Sequence, residues 1–260
     1  ERAVRPGSVV GGGQSRPRDE VKRQQLSQLE WERCRRDAQV FVFESGLRTK
    51  DEHDAETPLK PFPDVLYLRA LLDTLLVSGR LVPPDHATYA LQAGLSRDWL
   101  ATLATSGVLM VEKSRQVMVT WLCCAYLLWR AKFHEHQLLL VQSKREDDAA
   151  NLVFNKEPHV ARISFLEYAL PATLRSVAFP KAGAFGLLYF PNGSRIWGIP
   201  EGADIIRSNT PSAVFSDESA FQPQFGDSFT AALPCIKGGG QYIAVSSANP
   251  GEFASIVEGH

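Results

Sequence analysis

The sequence has almost no net charge, no paired-cysteine pattern and no long apolar run, and each lack closes off a class of function. Its 28 basic and 29 acidic side chains leave a net charge of −1. No bulk field draws such a chain to nucleic acid, so any DNA contact has to come from a local patch. The four cysteines, Cys34, Cys123, Cys124 and Cys235, show no C-x-x-C spacing. Cys123 and Cys124 are neighbours on an expected helix and point to different faces. This argues against a disulfide framework or a zinc site and favours a reducing cytosol. No apolar run reaches the length of a membrane span, and no secretory leader is visible. The first residue is Glu1 rather than Met, so an upstream segment is expected to be missing or removed. His134 and His136 lack a third ligand at metal spacing and read as structural. No Ser/His/Asp or Cys/His set stands out, and nothing repeats internally.

The glycines of a phosphate-binding loop are also lacking, in a place where such a loop would otherwise be expected. The usual pattern is G-x-x-x-x-G-K-[ST]. In Lys113-Ser-Arg-Gln-Val-Met-Val-Thr120 the first glycine is Lys113, the second is Met118, the lysine is Val119, and only the terminal hydroxyl of Thr120 survives. Three features keep the segment in play. The apolar run Val108–Val111 before it reads as a buried parallel strand, and Trp121–Phe133 after it as a buried helix. A helix N-terminus in that setting offers N–H groups and a positive dipole end to phosphate. Lys113 and Arg115 bring the cation from the front of the loop, which a long lysine stem allows, and Thr120 can hold Mg²⁺. About a hundred residues on, the apolar run Ala213–Ser216 ends in two adjacent acids, Asp217 and Glu218. The first can hold Mg²⁺, and the second can orient and activate a water. A basic loop alone is ordinarily a solvated turn, and an acid pair alone is ordinarily a helix cap. Their order, spacing and flanks together predict an ATP-hydrolysing core.

At 260 residues the chain is long enough for one α/β domain with an appendage and a sizeable core. Residues 1–19 are rich in Gly, Ser, Arg and Pro and read as a flexible tail. Residues 20–105 read as a helical N-terminal subdomain: a charged helix to about Phe43 with Leu26, Leu29, Trp31 and Val40 as buried candidates, an amphipathic helix over Asp64–Ser78, and another over Ser96–Thr105. From residue 106 to residue 260 alternating strand and helix signals predict a mainly parallel sheet. Its strands are expected over His136–Ser143, Ser212–Ser216 and Gln241–Ser247, with helices over Lys144–Phe154 and Ala161–Leu170 between them. A hairpin is expected around Asn192-Gly193, and a loop or short helix over Gly202–Asn209. Gly238-Gly-Gly240 precedes a strand, not a helix, and reads as a turn.

The segments Glu112–Trp121, Leu139–Ser143, Ile199–Ser208 and Phe215–Phe221 together resemble the large terminase subunit of tailed bacteriophages, a DNA-packaging motor. The similarity runs from about Cys34 to the C-terminus. It implies a P-loop ATPase of RecA-like, ASCE type, with ATP and Mg²⁺ as substrate and cofactor. The loop Lys113, Ser114, Arg115, Gln116, Val117, Met118, Val119 and Thr120 would take the phosphates, with Lys113 as the displaced lysine and Arg115 at the γ-phosphate. Asp217 and Thr120 would take the metal, and Glu218 would be the catalytic base. Ser246, Ser247 and Asn249 would form the segment that couples hydrolysis to movement. Arg207 would reach a neighbouring subunit as an arginine finger. Tyr67 would contact adenine, although the family's usual next residue, glutamine, is Leu68 here. The implied partners are double-stranded viral DNA, the portal and procapsid, the small terminase subunit and further copies in a ring, in the host cytoplasm and with no membrane. The family's nuclease domain is expected to be absent, so no DNA cutting is expected. The rival readings are a helicase-type translocase on nucleic acid and a nucleotide-binding adaptor with a decayed loop.

Overall fold

A computed structural model of the chain describes residues 17–50, 60–114, 118–176, 179 and 185–258. The alternation that marks a sheet buried on both faces organises it. Leu139, Val141, Ala213, Phe215, Ile243 and Val245 enter one hydrophobic cluster, and Leu138, Leu140, Val214, Tyr242 and Ala244 enter another. Successive side chains of a strand point to opposite faces, so both clusters need a helical cover. The result is a three-layer α/β/α arrangement.

The chain opens with helices α1 (Pro17–Arg36) and α2 (Ala38–Phe43). They are separated by Asp37, whose carboxylate caps α2 by accepting from the N–H of Gln39 and Val40. The short strands β1 (Arg48–Thr49) and β2 (Lys60–Pro61) pair antiparallel. Helices α3 (Leu66–Ser78), α4 (Thr88–Gln92) and α5 (Arg97–Ser106) follow. Gly107, at φ 66°, takes the left-handed conformation that ends α5 and feeds directly into the sheet. The expected single helix over the first stretch is thus two, and it starts at Pro17. Leu26 and Leu29, expected to be buried, are 66% and 67% exposed. The inward residues of α1 are Cys34, which is buried, and Trp31, whose ring meets Phe133 edge-on.

The sheet strands are β3 (Val108–Glu112), β4 (Leu138–Gln142), β5 (Leu187–Tyr189), β6 (Arg195–Ile199), β7 (Ala213–Asp217) and β8 (Gln241–Ser246). Their order across the sheet is β3-β8-β7-β4-β6-β5, all parallel except the edge strand β5. Between them come α6 (Val119–Phe133), α7 (Glu146–Val153), α8 (Arg162–Ala169), α9 (Asp204–Arg207) and α10 (Phe225–Lys237), with α11 (Glu252–Glu258) at the end. Helix α6 lies within the larger cluster and is buried along nearly its whole length. Two sets of contacts fix it. Lys132 pairs with Glu167 of α8 at 2.9 Å, both side chains having no exposure. Arg130 binds Gln137, Gln241 and the Ser212 carbonyl, which ties α6 to the starts of β4, β7 and β8. The turn at Asn192-Gly193 is anchored to the end of the same helix, where the Asn192 amide donates to the carbonyls of Ala131, Lys132 and His134.

The predicted alternation of strands and helices is borne out, with two additions. Helix α10 contains Pro234 and was not expected from the sequence, nor was α11. No helix of the described residues is long and apolar enough to cross a membrane.

Candidate nucleotide site

Strand β3, a short polar loop and helix α6 follow one another as the sequence predicts. The first loop residue, Lys113, continues the parallel ladder, its backbone N–H donating to the Ser246 carbonyl at 2.9 Å. At the far end Met118 adopts a left-handed backbone, φ 59°, and no side chain caps the first turn of α6. The free N–H groups of that turn are the feature that makes a helix N-terminus hospitable to an anion. Arg115, Gln116 and Val117 lie outside the described residues.

The two acids stand at the C-terminal end of β7, next to both β4 and β8. Asp217 belongs to the strand and is 6% exposed, whereas Glu218 turns out of it with a left-handed φ of 53°. That turn directs consecutive carboxylates to different partners. Lys113 Nζ donates to Glu218 Oε1 at 3.2 Å, and the Thr120 hydroxyl donates to Asp217 Oδ1 at 3.0 Å. The sequence-predicted residues 113, 120, 217 and 218 therefore meet, although about a hundred positions separate the two pairs. Ser114 and Val119 lie beside them in the chain.

Burial pushes the Asp217 carboxyl up to about 6, a rise opposed by the nearby Arg162 guanidinium and by the Thr120 hydrogen bond. Mg²⁺ needs few protein ligands, because it keeps waters and shares phosphate oxygens. A hydroxyl and a carboxylate 3.0 Å apart fit that demand. Among the described residues no group of three or more His, Cys, Asp and Glu could form an all-protein metal cage.

Ser246 and Asn249 also reach this place. The N–H of Ala220, two residues past Glu218, donates to Ser246 Oγ at 3.1 Å, and the Asn249 amide donates to the Ala220 carbonyl at 2.9 Å. Ser246 thus touches both the loop lysine and the turn that follows the acids. Ser247 is half-buried beside it. The turn is braced from inside by Ser219, which donates to the Ser216 carbonyl, and by Gln222, which donates to the Asp217 carbonyl.

The fold of the chain resembles that of a solved structure. No family model and no curated protein matches the chain. Among solved structures, the HK97 bacteriophage large terminase aligns over 84% of this chain with 15% identity and a TM-score of 0.51. The chain has the fold of a phage large terminase. It spans 39% of the HK97 terminase's length. The ATPase domain of the Thermus phage P74-26 large terminase aligns over 56% of this chain at 14% identity, with a TM-score of 0.36, and a mutant form of that domain with 0.42.

Two sequence-predicted residues stand away from the cluster in this terminase fold. Arg207 closes α9 just before β7, at the opposite end of the strand from Asp217, and pairs with Asp204 at 3.9 Å. The five residues of β7 put ~13 Å between the strand's ends, so Arg207 does not meet the acids of its own chain. It lines a cavity of about 620 Å³ with Arg130 and Gly238–Gly240. Tyr67 lies on the first turn of α3 and is 49% exposed; the other end of α3 docks on Gln241, whose amide donates to Leu75 and Ser78.

Sequence reasoning missed Arg162. It begins α8 and brings Nη1 within 3.9 Å of Asp217 Oδ2. Nothing local in the sequence signals this, because the contact depends on how α8 packs against α6.

Proposed function

We propose that this chain is the ATPase part of a viral DNA-packaging motor, hydrolysing ATP to move double-stranded DNA into a procapsid. The observation that carries the reading is the crossed pairing at the loop: Lys113 holds Glu218, and Thr120 holds Asp217. Four side chains of the types needed for phosphoryl transfer converge at one strand end, beside a helix N-terminus that no side chain caps.

On this reading Lys113 exchanges Glu218 for a phosphate oxygen of bound ATP, and the first-turn N–H groups of α6 receive others. The roles of phosphate binding are assigned to Ser114–Val119 as well, and that of γ-phosphate contact to Arg115. Thr120 and Asp217 would hold Mg²⁺, which when bound supplies positive charge to the phosphates. Glu218, released from Lys113, orients a water and accepts its proton as the water attacks. Charge that spreads over the transferring oxygens is met by Lys113, Arg115 and Arg207 of an adjacent copy. Because Arg207 lies at the far end of β7 from its own acids, that last contact needs a ring of subunits. Tyr67 is proposed for the adenine. Residues 20–105 act as a helical subdomain beside a core of residues 106–260.

Coupling follows from the hydrogen bonds of Ser246 and Asn249 to Ala220. A shift of the turn after Glu218 pulls on both, and Ser247 continues the same segment. The movement would be passed to DNA at the portal of a procapsid, with the small subunit as a further partner, in the host cytoplasm.

The test is Glu218→Gln, which keeps shape but cannot take a proton. It is expected to bind ATP with near-parent affinity while turnover falls by at least about a hundredfold, the lower end of general-base contributions. Parent-like turnover in this variant would remove Glu218 as the base. Absence of ATP binding by the parent chain would leave the decayed-loop adaptor as the better account.

A further inference from the structure

We propose that Arg162 is a γ-phosphate sensor acting within its own subunit, a role that rests on the nucleotide reading above. Each acid faces a basic side chain. Glu218 meets Lys113 at 3.2 Å, and the Asp217 oxygen not used by Thr120 faces Arg162 at 3.9 Å. The two bases approach from different elements, Lys113 from the end of β3 and Arg162 from the start of α8. A divalent cation held by Asp217 would repel the Arg162 guanidinium. A terminal phosphate held at the loop would offer the guanidinium a second anion. Arginine suits the exchange, since its fork can hold two phosphate oxygens at once.

The position of Arg162 is built. Its guanidinium lies over the ring of Trp121, 5.8 Å from the centroid, and Trp121 directly follows Thr120 in the helix that carries the loop. Phe165, one turn along α8, meets the same indole edge-on at 6.0 Å. At the other end of α8, Glu167 is locked to Lys132 of α6 by the fully buried pair at 2.9 Å. Helices α6 and α8 are therefore clamped at two points, so the loop and the arginine keep a fixed spacing. The Arg162 side chain is 23% exposed, so it is open to a ligand without being a loose surface group. The exchange also gives the Arg162 side chain two states, one tied to Asp217 and one tied to substrate, and so makes it report whether a third phosphate is present.

The experiment measures ATP and ADP binding with Mg²⁺ by calorimetry for the parent, Arg162→Gln and Arg162→Lys, on the catalytically dead Glu218→Gln background so that ATP persists. Thermal melts check that each variant folds. Arg162→Gln is expected to weaken ATP about tenfold or more, the scale of a charged hydrogen bond, and to leave ADP within about twofold. Arg162→Lys is expected to recover part of the loss and to stand in if the glutamine variant does not fold. Equal weakening of ATP and ADP would overturn the sensor role and make Arg162 only a positioning residue for Asp217. Unchanged affinity for both would overturn it too. If the parent background binds neither nucleotide, the underlying reading fails, and that outcome is separate from either of the others.

Discussion

Replacing Asp217 by asparagine is expected to stabilise the substrate-free protein while destroying its chemistry. Asp217 is buried, and its folded-state pKa is raised from 3.8 to about 6, mainly by loss of water. The sign follows from proton counting. Between about pH 4 and pH 6 the folded chain keeps a proton that the unfolded chain has already lost, so stability falls as pH rises through that window. At ~1.4 kcal/mol per pKa unit, the gap amounts to ~3 kcal/mol of lost stability above pH 6. Asparagine keeps the acceptor for Thr120 and cannot ionise. Urea denaturation at intervals from pH 4 to pH 7.5 would show it. The two proteins should be nearly equal near pH 4, and the variant should become more stable by up to ~3 kcal/mol above pH 6. Other carboxylates titrate in both proteins and cancel in the difference. A difference that stays flat across the window, or a variant less stable than the parent at pH 7, would refute the argument. Addition of Mg²⁺ and ATP should narrow the gap by stabilising only the parent.

The buried pair between α6 and α8 gives a second prediction. Lys132→Met leaves Glu167 charged with no exposure, and removing one partner of such a pair costs about 3–5 kcal/mol; denaturant midpoints would show it, and Lys132→Met combined with Glu167→Leu should recover most of the loss. Arg207→Ala should leave turnover unchanged in dilute monomer and reduce it only where copies associate, as read by turnover against protein concentration; an equal loss at all concentrations would rule out a role across the subunit boundary.

The order of elements was legible because the sheet is buried on both faces and its strands are short apolar runs with polar ends. The loop and the acid pair were legible for a related reason: each sits where a strand stops, and polar residues stand out against the apolar run. Other features were hidden. Helix α10 carries Gly226 and Pro234, both ordinarily signs of a break. Gly226 lies under the Glu252 carboxylate, 26 residues further along the chain. Leu26 and Leu29 looked inward because apolar side chains in a charged helix suggest a buried stripe, yet α1 lays only its C-terminal part, around Trp31 and Cys34, on the core. Arg162 was invisible because its meaning comes from packing against Trp121 and Asp217, neither near it in sequence. Arg207 is conspicuous in sequence as a basic residue before the acid strand, but only the fold shows that a full strand separates it from its own acids.

The most direct test of the central claim is a crystal structure of the Glu218→Gln protein with ATP and Mg²⁺. The account predicts phosphate density between Lys113 and the first turn of α6, metal density between Thr120 and Asp217, and a Lys113 ammonium moved from residue 218 onto a phosphate oxygen. A loop without ligand at saturating ATP, or nucleotide bound elsewhere with Lys113 still against residue 218, would contradict it.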